Sequence, residues 1–425
     1  MAYHAVQGGR ILETLTIRGG RPLRGTLAVQ GSKNAVLPIL AAAAAVPGRF
    51  SLSNCPPIRD VAVTRGILEG LGLSTSEAGG LLHIDSSGPV ATAPDPRLAG
   101  RLRSSVLLLG ALLARNGAAE VPLPGGCVLG TRPLDLHLRS LEALGVQVRC
   151  EDGRLLCRGR PRGGTVLLRY PSVGATENLI LAALGAAGPV CILGAAREPE
   201  IRDLAVFLNA CGACVQGAGS GCVRIRPASL HGAVHRILPD RMEAATFLCA
   251  AAAAGGSVTL TGLRPGHLRP VLDILRRAGC RIDETGSRLR LRAGALRSPG
   301  TIRTGPYPAF PTDAQAPVMA ALLRAAGTSV IEETVFEARY RHVPALLAFG
   351  GQVELEGRLA RIHGVPRLHG ARAAATDLRG GAAMVIAALA AEGESRITQA
   401  WHLDRGYGRF AERLRSLGAD VESDC

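Results

Sequence analysis

Two kinds of apolar run recur along the chain. Residues 35–46 and 244–254 are apolar on every helical face, whereas residues 61–71 set apolar side chains at helical spacing against charged ones. A helix that is apolar all round must be buried, and an amphipathic one can cover an outside. Short strands separate them, as at residues 25–30 and 49–52, so the order strand, small-residue helix, strand, polar loop, amphipathic helix, strand predicts an α/β fold. That order repeats. A helix ending in Leu-Gly or a close variant precedes a strand at Gly72, Gly145, Gly212, Gly279, Gly350 and Gly418, at intervals of about 70 residues. Glycine suits the residue after a helix because the backbone turns left-handed there. Three units enclosing their own apolar helices would make one domain, and six would make two.

On this pattern the chain leaves its first domain near residues 31–34 and returns near 239–242. The first domain would then comprise residues 1–32 and 242–425, and the second residues 33–241. Both connections fall beside the cleft between them, which places Lys33 and Asn34 on a hinge. The second domain carries the most loop-like stretch of the chain, Val-Pro-Leu-Pro-Gly-Gly-Cys-Val-Leu-Gly-Thr-Arg-Pro at 121–133. Its prolines remove backbone donors and its glycines permit turns, so Cys127 is expected at the tip of a mobile loop.

Composition narrows the class. The chain has 425 residues, 47% of them hydrophobic, enough for two or three aliphatic cores. Only 3% are aromatic, which argues against stacking platforms for single-stranded nucleic acid. The longest apolar stretch, 179–196, is broken by Gly185, Gly188 and Pro189, so no membrane insertion is expected. Residues 1–10 lack the apolar core of a signal peptide, and the cytoplasm is the expected compartment. Eleven cysteines scattered through the predicted elements fit reduced thiols. Cys211 and Cys214 form a CxxC that reads as core and strand residues at a helix end, without a second pair at ligand spacing.

A net charge of +15 is compatible with nucleic acid, a membrane surface or an anionic substrate. The arginines are interspersed with acids rather than clustered, which disfavours nucleic acid as a partner. Lys33 is the only lysine in the chain. Where arginine has replaced lysine everywhere else, a surviving ammonium marks a place that needs a compact point charge instead of a planar fork, unless it survived by chance.

Several stretches carry candidate chemistry. Cys127 is followed by Arg132, Asp135 and His137, and a nearby cation lowers a thiol pKa, although most free cysteines are simply small buried apolar residues. Gly31-Ser-Lys-Asn34 and Ser172-Val-Gly-Ala-Thr176 each precede an apolar helix, where backbone amides can face an anion or a hydroxyl can cap the helix. Asp313, in Pro308-Ala-Phe-Pro-Thr-Asp-Ala-Gln315, is either a capping carboxylate or a general base. Thr376-Asp-Leu-Arg379 and His402-Leu-Asp-Arg-Gly-Tyr407 set an aspartate close before an arginine, an arrangement that structural ion pairs explain more often than catalysis does.

Taken together these stretches resemble a known family, the enolpyruvyl transferases of the UDP-N-acetylglucosamine 1-carboxyvinyltransferase type. The match runs in order through Gly31–Pro38, Gly125–His137, Ser172–Thr176, Ala196–Glu200, Leu238–Arg241, Phe310–Asp313, Glu333–Glu337, Thr376–Arg379 and Asp404–Tyr407. The resemblance implies a two-domain inside-out α/β barrel of six repeated units, three per domain, closing on substrate. It implies transfer of the enolpyruvyl group of phosphoenolpyruvate to the 3-hydroxyl of UDP-N-acetylglucosamine, the first committed step of peptidoglycan precursor synthesis, with no metal or organic cofactor. It makes Cys127 the proton donor to the vinyl carbon and Asp313 the base on the sugar hydroxyl. Lys33, Arg132 and Arg405 would hold phosphoenolpyruvate, with Asn34 near the reacting centre. Arg103, Arg132, Pro133, Leu134, Asp135, Leu136, Ser172, Val173, Gly174 and Val335 would contact the UDP-sugar, and Asp377 and Arg379 would support the closed site.

The sequence departs from the commonest pattern of that family at Ser32, where alanine is frequent, at Tyr170 and Pro171, where some members carry a lysine, and at Ala338, where asparagine is frequent. Tyr170 removes one possible contact to the nucleotide phosphate. Two rivals are an enolpyruvyl transferase acting on shikimate 3-phosphate, which lacks the cysteine loop, and an inactive homologue, against which the retained cysteine, lysine and aspartate argue.

Overall fold

Each of the six repeat glycines adopts the left-handed backbone expected after a helix, with φ between 82° at Gly350 and 103° at Gly72. The computed structural model describes residues 12–123 and 134–424. Cys127, Arg132 and Pro133, with most of the 121–133 loop, lie outside the described residues. The fold is mixed α/β. The helices that read as apolar all round are Lys33–Ala45, buried from Ala35 onward, and Arg241–Ala254, buried almost throughout. Both begin a few residues earlier than the apolar pattern does, because a polar first turn leaves no trace in hydrophobicity.

Five four-stranded sheets share one order: a parallel edge pair followed by two antiparallel strands. In the last of them the antiparallel strand next to the first pair is Thr14–Arg18, which joins Glu394–Thr398 to Asp420–Asp424. The N-terminal strand thus occupies the place that the second strand of a local hairpin fills in the other sheets. A three-stranded sheet joins Ala118–Pro122 to Arg154–Arg158 and Gln147–Glu151.

Buried apolar residues form two clusters. One runs from Ala35 to Leu238, the other from Leu12 to Val29 and then from Met242 to Val421. At the centre of the first, the helices Lys33–Ala45, Leu107–Asn116 and Val173–Ala183 pack on one another, and Arg241–Ala254, Gln315–Leu322 and Leu378–Ala390 do so in the second. The chain passes from one cluster to the other at two segments that pair side by side. Gly31 and Pro239 form an antiparallel bridge. Ser32 N–H donates to the Leu238 carbonyl at 2.7 Å and Asp240 N–H to the Gln30 carbonyl at 2.8 Å. No helix among the described residues is long and apolar enough to cross a membrane.

The crossing tolerates no side chain at Gly31, where a Cβ would lie 1.8 Å from the Asn54 carbonyl oxygen. The obstacle is backbone, so it cannot swing aside. Gly31→Ala is expected to cost about 2 kcal/mol or more by pushing the crossing segment off the Asn54 backbone. A lower urea midpoint at unchanged m-value would report it.

Candidate active site

The first charged cluster is built where the chain crosses. Lys33 is the first residue of its helix, and its backbone N–H donates to Asp240 Oδ2 at 3.0 Å. The other Asp240 oxygen accepts the N–H groups of Met242 at 2.7 Å and Glu243 at 2.9 Å. One carboxylate therefore caps two buried helices, one from each core, and sets where both begin. Ser32, which could have capped the first of them, makes no side-chain cap bond.

Held in this way, the Lys33 ammonium lies 2.7 Å from Asp60 Oδ2. Arg405 reaches the same carboxylate from the other core, with Nε 3.1 Å from Oδ1 and Nη2 3.3 Å from Oδ2. Burial pushes the Lys33 ammonium down from the ordinary lysine range and the Arg405 and Arg379 charges add to this, while Asp60 opposes them. Burial by itself would raise the Asp60 carboxyl, but Lys33 and Arg405 together hold it below the usual carboxylate range. Arg405 is aimed by its flanks. Gln30 Nε2 donates to the Gly406 carbonyl at 2.9 Å, and Gln30 Oε1 accepts the Gly408 N–H at 3.1 Å.

The second cluster centres on Asp313, in a short 3-10 turn ahead of the Gln315–Leu322 helix. Its carboxylate serves arginines instead of capping. Arg339 Nη2 lies 2.9 Å from Oδ1, and Arg379 Nη2 lies 3.1 Å from Oδ2. Both guanidiniums are almost wholly buried, whereas the Asp313 side chain keeps 30% exposure and is the open edge of the cluster. Arg379 Nη1 also donates to Tyr407 Oη at 2.9 Å, and that hydroxyl is 2.9 Å from Thr246 Oγ1. Tyr407 lies two residues beyond Arg405, so the segment that brings Arg405 to Asp60 also steadies the arginine on Asp313.

The short-range ion pairs expected at 376–379 and 402–407 do not form. Asp377 caps the Leu378–Ala390 helix, accepting the Arg379 and Gly380 N–H groups at 3.0 and 3.1 Å, and the Arg379 side chain turns instead to Asp313. Asp404 accepts the Leu12 N–H at 3.2 Å, and Arg405 turns to Asp60. In each pair the aspartate accepts backbone N–H groups, of its own helix at Asp377 and of the distant Leu12 at Asp404, and the arginine reaches across the fold.

A third group surrounds the 172–174 turn expected at the UDP-sugar. The His137 ring is buried and contacts Asn178, with Nδ1 and Nδ2 3.1 Å apart, while Asn178 Oδ1 accepts the Gly110 N–H at 2.6 Å. Burial, with Arg103 nearby, pushes the imidazole down to about 4, against the opposing charge of Asp135. A Cβ at Gly174 would sit 3.2 Å from His137 Cε1, so that ring forms the floor beneath the 172–174 turn. Ser172 Oγ accepts the Ala175 N–H at 3.3 Å, which is the ordinary N-cap alternative. Leu134 and Leu136 pack on the first of the two cores just described in chain order, Asp135 opens the Asp135–Ala143 helix, and Val173 begins the helix after Ser172. Val335 sits on a turn organised by buried Glu333, whose carboxylate accepts the Val335 N–H at 2.8 Å and the Thr312 hydroxyl at 2.8 Å. Asn34 is half-buried in the first turn of its helix, next to Lys33. Pro38 four residues on has no N–H, so the Asn34 carbonyl is left without its helical donor.

Two clusters of cations around carboxylates, placed where two cores meet, suit an anionic substrate and a hydroxyl to be deprotonated. The family model for EPSP synthase (3-phosphoshikimate 1-carboxyvinyltransferase) matches residues 17–414. A UDP-N-acetylglucosamine 1-carboxyvinyltransferase of Symbiobacterium thermophilum is 45% identical over 97% of this chain and 98% of its own length. The chain belongs to the enolpyruvyl transferase family. A Zymomonas mobilis enzyme of the same name is 44% identical, covering 97% of this chain and 99% of the relative. Among solved structures, the enolpyruvyl transferase NikO from Streptomyces tendae superposes with a TM-score of 0.87 at 27% identity, over 97% of this chain and all of NikO. An EPSP synthase from Acinetobacter baumannii reaches 0.72 at 20% identity over the same share of this chain, a likeness of fold.

Family motifs pointed to Lys33, Asp313, Arg379 and Arg405, which the structure gathers into these clusters. They did not point to Asp60, Gln30, Asp240, Arg339 or Glu333 as partners. Asp60 follows Pro56-Pro57-Ile-Arg and reads as an ordinary acidic residue in a helix first turn, so no local signal distinguishes it.

Proposed function

We propose that this chain transfers the enolpyruvyl group of phosphoenolpyruvate to the 3-hydroxyl of UDP-N-acetylglucosamine with release of phosphate, the step that commits the sugar nucleotide to peptidoglycan precursor synthesis. The observation that carries this reading is the approach of Lys33 and Arg405 from different cores to one carboxylate, in a chain whose curated relatives at 43–45% identity bear that enzyme name.

The chemistry needs an acid at the vinyl carbon and a base at the hydroxyl, each worth about 10²–10⁴-fold. In our reading Asp313 takes the proton from the sugar hydroxyl as its oxygen bonds to the central carbon of phosphoenolpyruvate, and Cys127 gives a proton to the methylene, making a methyl group. Loss of a proton from that methyl and of phosphate from the central carbon then restores the double bond on the transferred group. Lys33, Arg132 and Arg405 bind the phosphate and carboxylate and stabilise the charge of the tetrahedral intermediate, with Asn34 beside it. Arg103, the 132–136 run, Ser172, Val173, Gly174 and Val335 seat the sugar nucleotide. Asp377 and Arg379 keep the Asp313 end in place.

The two buried clusters support a division into two domains, residues 1–32 with 242–425 and residues 33–241, in an inside-out barrel of three repeated units each. The three apolar helices at the centre of each cluster, with sheets outside them, are what such a barrel requires. Closing the halves would exclude water from the substrates.

Phosphate release from phosphoenolpyruvate by the purified protein tests the assignment. Release is expected only when UDP-N-acetylglucosamine is also present. Release with shikimate 3-phosphate in its place, or none under either condition, overturns the reading.

A further inference from the structure

Asp60 has no part in the roles given above, yet among the described residues it is the carboxylate that Lys33 and Arg405 both touch. Its side chain is 4% exposed, that of Lys33 12% and that of Arg405 30%. Exposure therefore increases from the carboxylate outward to the cations. An anion arriving in the cleft meets the two cations first, with Asp60 behind them. The carboxylate is fixed on the Arg59–Gly70 helix of one core, Lys33 on the Lys33–Ala45 helix packed against it, and Arg405 on the 3-10 turn Ala400–Arg405 of the other core. Without a shared anion, two cations brought this close would repel, and Arg405 would have no partner drawing it across from its own core.

We propose that Asp60 is the positioning residue for phosphoenolpyruvate: it gathers Lys33 and Arg405, one from each half of the chain, into a single anion-gripping pair before substrate arrives. This rests on the enolpyruvyl transfer reading, which supplies the anion. Asp60 itself touches no substrate, because both of its oxygens are already taken by the cations it aligns.

The pair also governs the charge of Lys33. The groups facing that ammonium are Asp60 on the adjacent helix, Arg405 on the 3-10 turn and Arg379 on the Leu378–Ala390 helix, with Asp240 at its backbone N–H. Asp60 is the carboxylate that opposes burial and the two guanidiniums. Replacing it with a neutral amide lowers the pH at which Lys33 loses its proton.

Lys33 being the sole lysine makes this measurable without assignment. Protein labelled with 13Cε,15Nζ-lysine gives one side-chain signal, whose titration is that of Lys33. Asp60→Asn is expected to move the midpoint down by about one pH unit or more, and Asp60→Glu to bring it back towards wild type. Arg405→Gln, at a half-buried position, should move it up by removing a like charge, which gives a readout even if the Asp60 variants fold poorly. In kinetics, Asp60→Asn should raise KM for phosphoenolpyruvate about tenfold or more and leave KM for UDP-N-acetylglucosamine within about twofold. An unmoved Lys33 midpoint in Asp60→Asn and Arg405→Gln, or an unchanged KM for phosphoenolpyruvate in a folded Asp60→Asn protein, overturns the proposal. The titration needs no substrate. An inactive wild-type protein would thus sink the enolpyruvyl reading, whereas an active one with an indifferent Asp60→Asn variant would sink this inference alone.

Discussion

Lys33→Arg is expected to lower kcat/KM for phosphoenolpyruvate by about 10²-fold, although it conserves charge. The ammonium is a compact donor that fits 2.7 Å from Asp60 in a place only 12% exposed, with Arg405 and Arg379 already alongside. A guanidinium is longer, planar and strongly inclined to bind a carboxylate through two parallel bonds. At position 33 it would compete with Arg405 for both oxygens of Asp60 and displace it from the grip. The rest of the chain shows how readily arginine stands in elsewhere, since every other member of its 49 basic Lys and Arg residues is arginine. Steady-state kinetics with phosphoenolpyruvate varied at saturating sugar nucleotide reads the loss, and a melting temperature within a few degrees of wild type separates it from misfolding. Wild-type kcat/KM in the variant would remove the argument that a point charge is needed there.

Asp313→Asn is expected to lower kcat by about 10²–10⁴-fold, the range a general base supplies, with a smaller change in KM for the sugar nucleotide. The amide keeps the shape of the carboxylate but cannot take a proton, and its nitrogen faces one of two guanidiniums as a donor against a donor. Arg339 and Arg379, only 2% and 6% exposed, lose the anion they share. Because Asp313 itself remains 30% exposed, solvent softens that loss, and a destabilisation of about 1–3 kcal/mol is expected beside the kinetic effect. Single-turnover measurement of ketal formation and urea unfolding on the same variant separate the two. Turnover within tenfold of wild type would take the base role away from Asp313.

The two substitutions probe residues that motifs in the sequence single out, and the distinction between what motifs convey and what packing decides runs through the whole molecule. The sequence by itself determined the local structure. Six glycines at a steady interval mark helix ends because only glycine turns left-handed there without a steric cost, and all six do so. Ala-rich segments apolar all round could only be interior helices, and residues 35–45 and 242–253 are. These are consequences of helical period and backbone sterics, which depend on neighbours a few positions away.

Partnerships between charges do not have that property, and the tertiary structure decided them. Sequence proximity suggested Asp377 with Arg379 and Asp404 with Arg405. A carboxylate next to a helix start satisfies backbone N–H groups more easily than it bends back to a side chain two positions on, so Asp377 caps its helix. Arg379 instead meets Asp313, 66 residues away, and Arg405 meets Asp60, 345 residues away. Asp240 caps a helix of each core for the same reason: two crossing strands 207 residues apart in sequence lie side by side. Which cation faces which anion was fixed only when the two cores were laid against each other, because an ion pair is selected by distance and burial in three dimensions, and neither leaves a mark on the order of residues.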